Sequence, residues 1–226
     1  MARARNELKY FINLGDYYSI TKKLKNIAQK DRFSNKDGRY EIRSIYFDNI
    51  YDKALNEKIG GYNRREKFRI RFYNDNFSFI KLEKKSKING KCIKHFAPIT
   101  KEECDKILNN DISWMISSKE GLIQELYFKM KSQLLKPRTI VDYTREAYIY
   151  KSGNVRITID TNVKTGIYSK DFFNMKLPKV RTISNDLIIL EVKYDNFFPD
   201  VIKNLVQTNT RRATSISKYA NCRMFG

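Results

Sequence analysis

The sequence predicts an α+β fold built on a mostly antiparallel sheet or barrel with peripheral helices, in a single domain over residues 1–226. Three observations carry this expectation. About seven or eight segments alternate side-chain character at the two-residue period of strands; tight-turn signals link several of them as a meander; and a few other stretches repeat apolar residues at helical spacing. Hydrophobic residues make up 41% of the chain and aromatics 13%, enough for one substantial core and too much for a disordered polymer.

The elements follow in order. Asn6 to Asn13 reads as the first strand. Asp16 then caps a helix carrying Tyr17, Ile20, Leu24, Ile27 and Ala28 on one face. Arg39 to Phe47 alternates as a strand, and Gly60-Gly61 interrupts the chain before the strand Glu66 to Tyr73. The turn Asn74-Asp75-Asn76 leads into Phe77 to Lys85, and Asn89-Gly90 marks the turn into Lys91 to Phe96. Thr100 with Glu103 forms a capping-box pattern that opens a helix. A longer helix is expected from Lys119 to Leu135, with Leu122, Ile123, Leu126, Tyr127, Met130 and Leu134 on one face and Pro137 as its stop. Strands return at Thr139 to Tyr150, at Asn154 to Thr161 after Gly153-Asn154, and at Asp186 to Tyr194. A short helix from Pro199 to Val206 and a helical segment around Ser215 to Ala220 complete the reading.

Charge dominates the composition. Lysine and arginine number 45 against 25 acidic residues, a net charge of +20. Self-repulsion on that scale is usually tolerated for a polyanionic partner: nucleic acid, an anionic membrane or condensed phosphate. The plainer alternative is drift towards lysine with no specific partner. Cys92, Cys104 and Cys222 have no C-x-x-C spacing, so neither a zinc site nor a disulfide framework is expected, and a reducing compartment fits best. The charged stretch Met1 to Tyr10 has no signal-peptide character, and no apolar run approaches the roughly 18 residues of a membrane span. A soluble, cytoplasmic protein is expected. P-loop, zinc and nucleophile-elbow patterns are missing.

Residues two apart in a strand share a face. Arg69 and Arg71 therefore point together, opposite Phe68, Ile70 and Phe72. Lys81, Glu83 and Lys85 form a second file; Arg156, Thr158 and Asp160 a third; Glu191 and Lys193 a fourth. Tyr143 pairs with Arg145 and Glu7 with Lys9, while Arg39, Glu41 and Arg43 add a further set. A solvated sheet face explains any one of these. The recurrence across strands, with basic residues dominant, is better explained by files lining one lumen that an anion occupies, the few acids serving as metal ligands.

At these residues the sequence resembles the catalytic domain of the vacuolar transporter chaperone (VTC) polyphosphate polymerases, within the triphosphate tunnel metalloenzyme superfamily. The matching segments run in order from about residue 5 to residue 222: Glu7-Leu8-Lys9-Tyr10, residues 42–48, 68–73 and 82–86, Tyr143-Thr144-Arg145, residues 155–161 and 189–193, and Ser217-Lys218-Tyr219. The resemblance implies an eight-stranded antiparallel tunnel that grows polyphosphate from the γ-phosphate of ATP with Mn²⁺ or Mg²⁺. It assigns phosphate binding to Lys9, Arg69, Arg71, Lys85, Lys94, Arg145 and Arg156, further phosphate contacts to Tyr143, Ser217 and Lys218, and metal binding to Glu191. Glu7, Glu83 and Asp160 are further metal candidates, and Arg43, Lys81, Lys91 and Lys193 further basic ones. Lys91 competes with Lys94, because the turn at Asn89-Gly90 leaves the register open. Tunnel triphosphatases and class IV adenylate cyclases carry Glu-x-Glu-x-Lys on the first strand; here Arg5-Asn6-Glu7-Leu8-Lys9 replaces the first acid, which weakens a hydrolase reading. The SPX domain and membrane region of the eukaryotic polymerases have no counterpart in these residues. Tunnel-type triphosphate hydrolysis and non-catalytic polyphosphate or RNA binding stand as alternatives.

An acceptor phosphate is already anionic near neutral pH, so transfer needs positioning and charge neutralisation more than a base. His95, the only histidine, reads as a proton shuttle or a plain strand residue. Trp114, Tyr148, Tyr150, Phe172 and Phe173 read as an adenine platform or core, and Arg211-Arg212 as a polyphosphate guide or a solvated pair.

Overall fold

The structure is a computed structural model and describes residues 5–31, 34–35, 37–89, 91–184, 187–206 and 211–225. Its described strands, ten in number, form one sheet: β1 Asn6–Ile12, β2 Gln29–Lys30, β3 Arg39–Asp48, β4 Arg64–Tyr73, β5 Asn76–Ile88, β6 Lys91–Ile99, β7 Lys136–Tyr150, β8 Val155–Thr165, β9 Val180–Arg181 and β10 Ile188–Tyr194. Eight lie on the main path in the order β1-β10-β8-β7-β3-β4-β5-β6, every ladder antiparallel; β2 adds to β7 and β9 to β8. The described helices are α1 Leu14–Ile27, α2 Lys53–Ile59, α3 Lys101–Leu108, α4 Gly121–Ser132, α5 Asp200–Val206 and α6 Lys218–Arg223, with short 3₁₀ turns at Ser113–Ser117 and Ser152–Asn154.

The expected closed barrel requires a correction. Among the described residues the sheet is not closed: its edge strands β1 and β6 share no ladder and meet at a single bridge, Arg5 with Cys92. An ion pair between Glu7 on β1 and Lys85 on β5 at 2.8 Å reinforces that contact.

Local chemistry explains most boundaries. Asn74 and Asp75 both adopt positive φ (49° and 54°), the two-residue turn whose twist suits a hairpin. Asn13, not Asp16, caps α1: its side chain accepts from the Asp16 backbone, and Asp16 returns the bond as the third helical residue. Thr100 and Glu103 form the expected reciprocal box before α3. The long helix ends at Ser132, earlier than expected, and Pro137 stands as the second residue of β7. The expected strand start at Asp186 and the Gly90 half of the Asn89-Gly90 turn lie outside the described residues.

Two helical layers cover the outer faces of the sheet. Phe68, Ile70, Phe72, Ile80, Leu82 and Ala97 pack with Ile107, Leu122, Leu126 and Met130 of α3 and α4. Tyr10, Ile157, Ile159, Leu190 and Val192 pack with Leu24, Ile202 and Val206 of α1 and α5. Trp114, Phe172 and Phe173 join the first core and Tyr148 and Tyr150 the second, on the core side of the two readings offered for them. His95 is exposed on the face of β6 opposite Lys94, and Arg211 is ion-paired with Asp16 at 3.0 Å. No described helix is long and apolar enough to cross a membrane.

Arg43 is a second correction. It points outward with its β3 neighbours Arg39 and Glu41, is only 2% exposed, and holds Asp142 through Nε and Nη2 while Nη1 donates to the carbonyls of Phe172 (3.0 Å) and Asn174 (2.8 Å). It staples residues 172–174 to the sheet. Arg43→Ala is therefore expected to lower unfolding stability by about 3 kcal/mol, measured by denaturant titration, because Asp142 keeps only Lys179. Tripolyphosphate binding should not change.

Candidate functional site: a cation-lined tunnel

The inward positions of the strands follow from register. Tyr46, Arg69 and Glu83 lie across from one another on β3, β4 and β5, as do Ser44, Arg71 and Lys81; Lys9 faces Glu191 across β1 and β10, and Arg145 faces Asp160 across β7 and β8. α6 covers this face from within the curve of the sheet: Tyr219 stacks on Tyr46 at 5.1 Å and donates to buried Asp48 at 2.6 Å, while Lys218 reaches Asp160 at 2.5 Å.

Three carboxylate centres organise the cations. Glu83, 1% exposed, binds Arg69 at 2.6 Å and Lys94, with Arg71 at 3.9 Å. Asp160, equally buried, is gripped by Arg145 through two bonds of 2.6 and 2.7 Å and by Lys218. Glu7 and Glu191 share Lys9 (2.6 and 3.5 Å) and Lys193 (4.0 and 2.5 Å), and Glu7 also takes Lys85. Tyr143 connects the centres. Its hydroxyl accepts from Arg71 at 2.8 Å, and Arg71, Arg145 and Lys218 stand 5.8, 5.3 and 4.8 Å from its ring.

Of the expected basic residues, Lys9, Arg69, Arg71, Lys85, Lys94, Arg145, Lys193 and Lys218 thus share one face. Arg156 lies further along β8 on the same face, hydrogen-bonded to Asp31 (2.6 Å) and the Tyr40 hydroxyl (3.0 Å). Lys81 sits over the Phe79 and Phe96 rings at 4.2 and 4.7 Å rather than beside a carboxylate. Lys91, at the hairpin end opposite Ile88, is exposed, whereas Lys94 reaches Glu83. The Ser217 hydroxyl caps α6 by accepting from the Ala220 backbone at 3.3 Å. Sequence reading passed over Lys67. The alternation that paired Arg69 with Arg71 runs back to it, and its ammonium lies 5.5 Å from the Tyr46 ring.

The acids are all held ionised. Burial and the nearby Glu191 push the Glu7 carboxyl up, but the ammonium groups of Lys9, Lys85 and Lys193 outweigh them and bring it to about 2. Burial also opposes ionisation of Glu191, Glu83 and Asp160, and their cationic partners likewise win. Crowded positive charge acts on the remaining groups. Burial, with Lys85, Lys9 and Arg69 nearby, lowers Lys67 to about 7. Tyr46 is raised by burial yet lowered further by Arg69, Lys67 and Arg71, to about 7.

One mouth opens into a cavity of about 290 Å³, lined by Glu7, Lys9, Lys58, Arg65, Lys67, Lys85 and Lys87 among others. Arg5, at the position of the missing first acid, borders this mouth and pairs with Asp195 at 3.1 Å. No cluster of three acidic, histidine or cysteine ligands occurs among the described residues. The donor set nonetheless suits a hard divalent ion completed by phosphate oxygens: Glu7 and Glu191 are ionised and share cations across adjacent strands.

The fold has counterparts among solved structures. It is similar to a candidate adenylate cyclase of Bacillus halodurans (12% identity, TM-score 0.54, 90% of this chain and 92% of the other). It is also similar to a candidate adenylyl cyclase of Hippeastrum described as having a dominant triphosphatase activity (12%, 0.55, 96% and 93%). At such identities the likeness shows the fold. A family model described as the VTC domain matches residues 4–225, and the chain belongs to that family. No significant match was found among curated proteins.

Proposed function

We propose that this chain is an ATP-dependent polyphosphate polymerase. The observation that carries the reading is the convergence of Lys9, Arg69, Arg71, Lys85, Lys94, Arg145 and Lys218 on one inner face, with fewer acids than bases to neutralise them. A phosphate chain supplies the missing negative charge, and membership of the VTC family points to the same substrate class. In the proposed reaction a terminal phosphate oxygen of the growing chain attacks the γ-phosphorus of ATP, the bond from that phosphorus to the β-bridging oxygen breaks, and ADP leaves.

Each residue has a physical task in this reading. Arg69, Arg71 and Arg145 offer planar donor forks to non-bridging oxygens; Lys9, Lys85, Lys94 and Lys218 act as point charges. Tyr143 positions Arg71 and Arg145 through its hydroxyl and ring. Glu191, with Glu7, would hold Mn²⁺ or Mg²⁺, which supplies charge neutralisation at the transferring phosphate. The acceptor arrives ionised and requires no base.

Incubation with ATP and Mn²⁺, followed by ³¹P NMR, tests the reading: internal-phosphate signals should grow as ADP accumulates. Formation of ADP and orthophosphate alone would replace it with tunnel-type hydrolysis, and absence of turnover with simple polyanion binding.

Proton linkage gives a separate check. Burial, together with Lys85, Lys9 and Arg69, holds Lys67 near 7; a polyanion in the tunnel neutralises those cations, so the pKa rises on binding. Tripolyphosphate binding at pH 7 to 8 should therefore take up protons, and affinity should fall as pH rises above 7. Calorimetry in buffers of differing ionisation enthalpy reads the uptake; Lys67→Arg, which stays charged, should reduce it.

A further inference from the structure

On β8, Arg156, Thr158 and Asp160 point to the tunnel in succession, and both charged neighbours have protein partners. Thr158 does not. It is 3% exposed, and its hydroxyl oxygen, fully shielded from solvent, meets no hydrogen-bond partner among the described residues. The strand itself offers none, because β8 is laddered on both sides, to β7 and β10. A buried hydroxyl without a partner is a liability that valine, of the same shape, would remove. In a polar tunnel an unpartnered donor of this kind suits a ligand.

The surroundings define that ligand. Glu191 lies directly across on β10 and small Ala147 directly across on β7, so a side chain crowds the hydroxyl from one flank only. The Nε of Arg156, the next inward position, is also buried without a hydrogen-bond partner among the described residues. Two donors, one of them on a cation, ask for an acceptor oxygen bearing negative charge.

Resting on the reading of the tunnel as a phosphate-chain site, we infer that Thr158 is a further phosphate-binding residue, its hydroxyl donating to a non-bridging oxygen of the bound chain beside Arg156. The long cations can swing towards an incoming polyanion. Thr158 has only a short, branched side chain and contributes a fixed donor at the floor of the tunnel.

Calorimetric titration of wild type, Thr158→Val and Thr158→Ser with inorganic tripolyphosphate, in EDTA so that no metal intervenes, tests the assignment. Thr158→Val should weaken binding roughly tenfold, and Thr158→Ser should stay within about twofold of wild type. The ligand-free valine variant should melt at the same temperature as wild type or higher, which a structural role for the hydroxyl would not allow. Undiminished binding by Thr158→Val would mean that the hydroxyl holds water at most and would overturn the inference while leaving the tunnel reading intact. Should the valine variant not fold, Thr158→Ala takes its place: binding weaker than that of the serine variant supports the assignment, and equal binding overturns it. Absence of tripolyphosphate binding by wild type would bring down the tunnel reading and this residue with it.

Discussion

Glu191→Gln is expected to reduce metal-dependent turnover of ATP by roughly 100-fold while leaving the protein folded and its grip on tripolyphosphate in EDTA undiminished or tighter. The two halves of this expectation have one cause. Glu191 is a buried anion among Lys193, Lys9, Lys218 and Arg145, which hold its carboxyl far below the usual range. Glutamine keeps the shape and an acceptor oxygen for Lys9 and Lys193 but removes one negative charge from a tunnel already rich in positive ones. A phosphate chain therefore meets a stronger field, and binding does not suffer. The proposed divalent ion would lose one of its two protein carboxylates, and Glu7, shared among three lysines, would not compensate. Steady-state kinetics with Mn²⁺, circular dichroism and calorimetry in EDTA separate the effects. Turnover within about threefold of wild type would remove Glu191 from the proposed chemistry.

How far the sequence could show this arrangement depends on what alternation encodes. It reports which residues share a face, and the pairs Arg69/Arg71, Tyr143/Arg145 and Glu191/Lys193 came out of it directly. It does not report which face is inside when both are buried. β3 is such a strand: Ile45 and Phe47 pack under α3 and α4 while Ser44 and Tyr46 meet Arg71 and Arg69, so polarity gave no contrast and Arg43 fell on the wrong side. The competition between Lys91 and Lys94 is a matter of register, and the pairing of Lys85 with Lys94 puts Lys94 on the face of Lys85. Ser217 caps α6 by accepting from the Ala220 backbone, a local role that a serine before a helix can take and that leaves its own O–H able to donate. The open edge is a long-range property: whether β1 reaches β6 depends on the curl accumulated over eight strands, and no local signal records it.

Arg71→Ala should weaken tripolyphosphate binding by roughly 100-fold, the loss expected when a buried, charge-assisted two-point contact disappears. Arg71 is suited to this role because its orientation is fixed before any ligand arrives: Nε donates to Ser44 Oγ at 2.9 Å and one terminal nitrogen to the Tyr143 hydroxyl at 2.8 Å. Its remaining terminal nitrogen stands 3.9 Å from Glu83, too far for a hydrogen bond to that carboxylate. Truncation leaves Glu83 with Arg69 and Lys94, so the carboxylate stays paired and the fold should survive. Arg71→Lys restores the charge but not the fork and should recover only part of the affinity. The comparison with Arg43 isolates position from chemistry. The two arginines lie on adjacent strands, in cross-strand register one residue apart, and both are almost wholly buried. Loss of Arg43 should cost stability and leave binding alone; loss of Arg71 should do the reverse. If both variants bind tripolyphosphate like wild type, the anion does not enter the face that Arg71 occupies, and the basic files serve some purpose other than holding a phosphate chain.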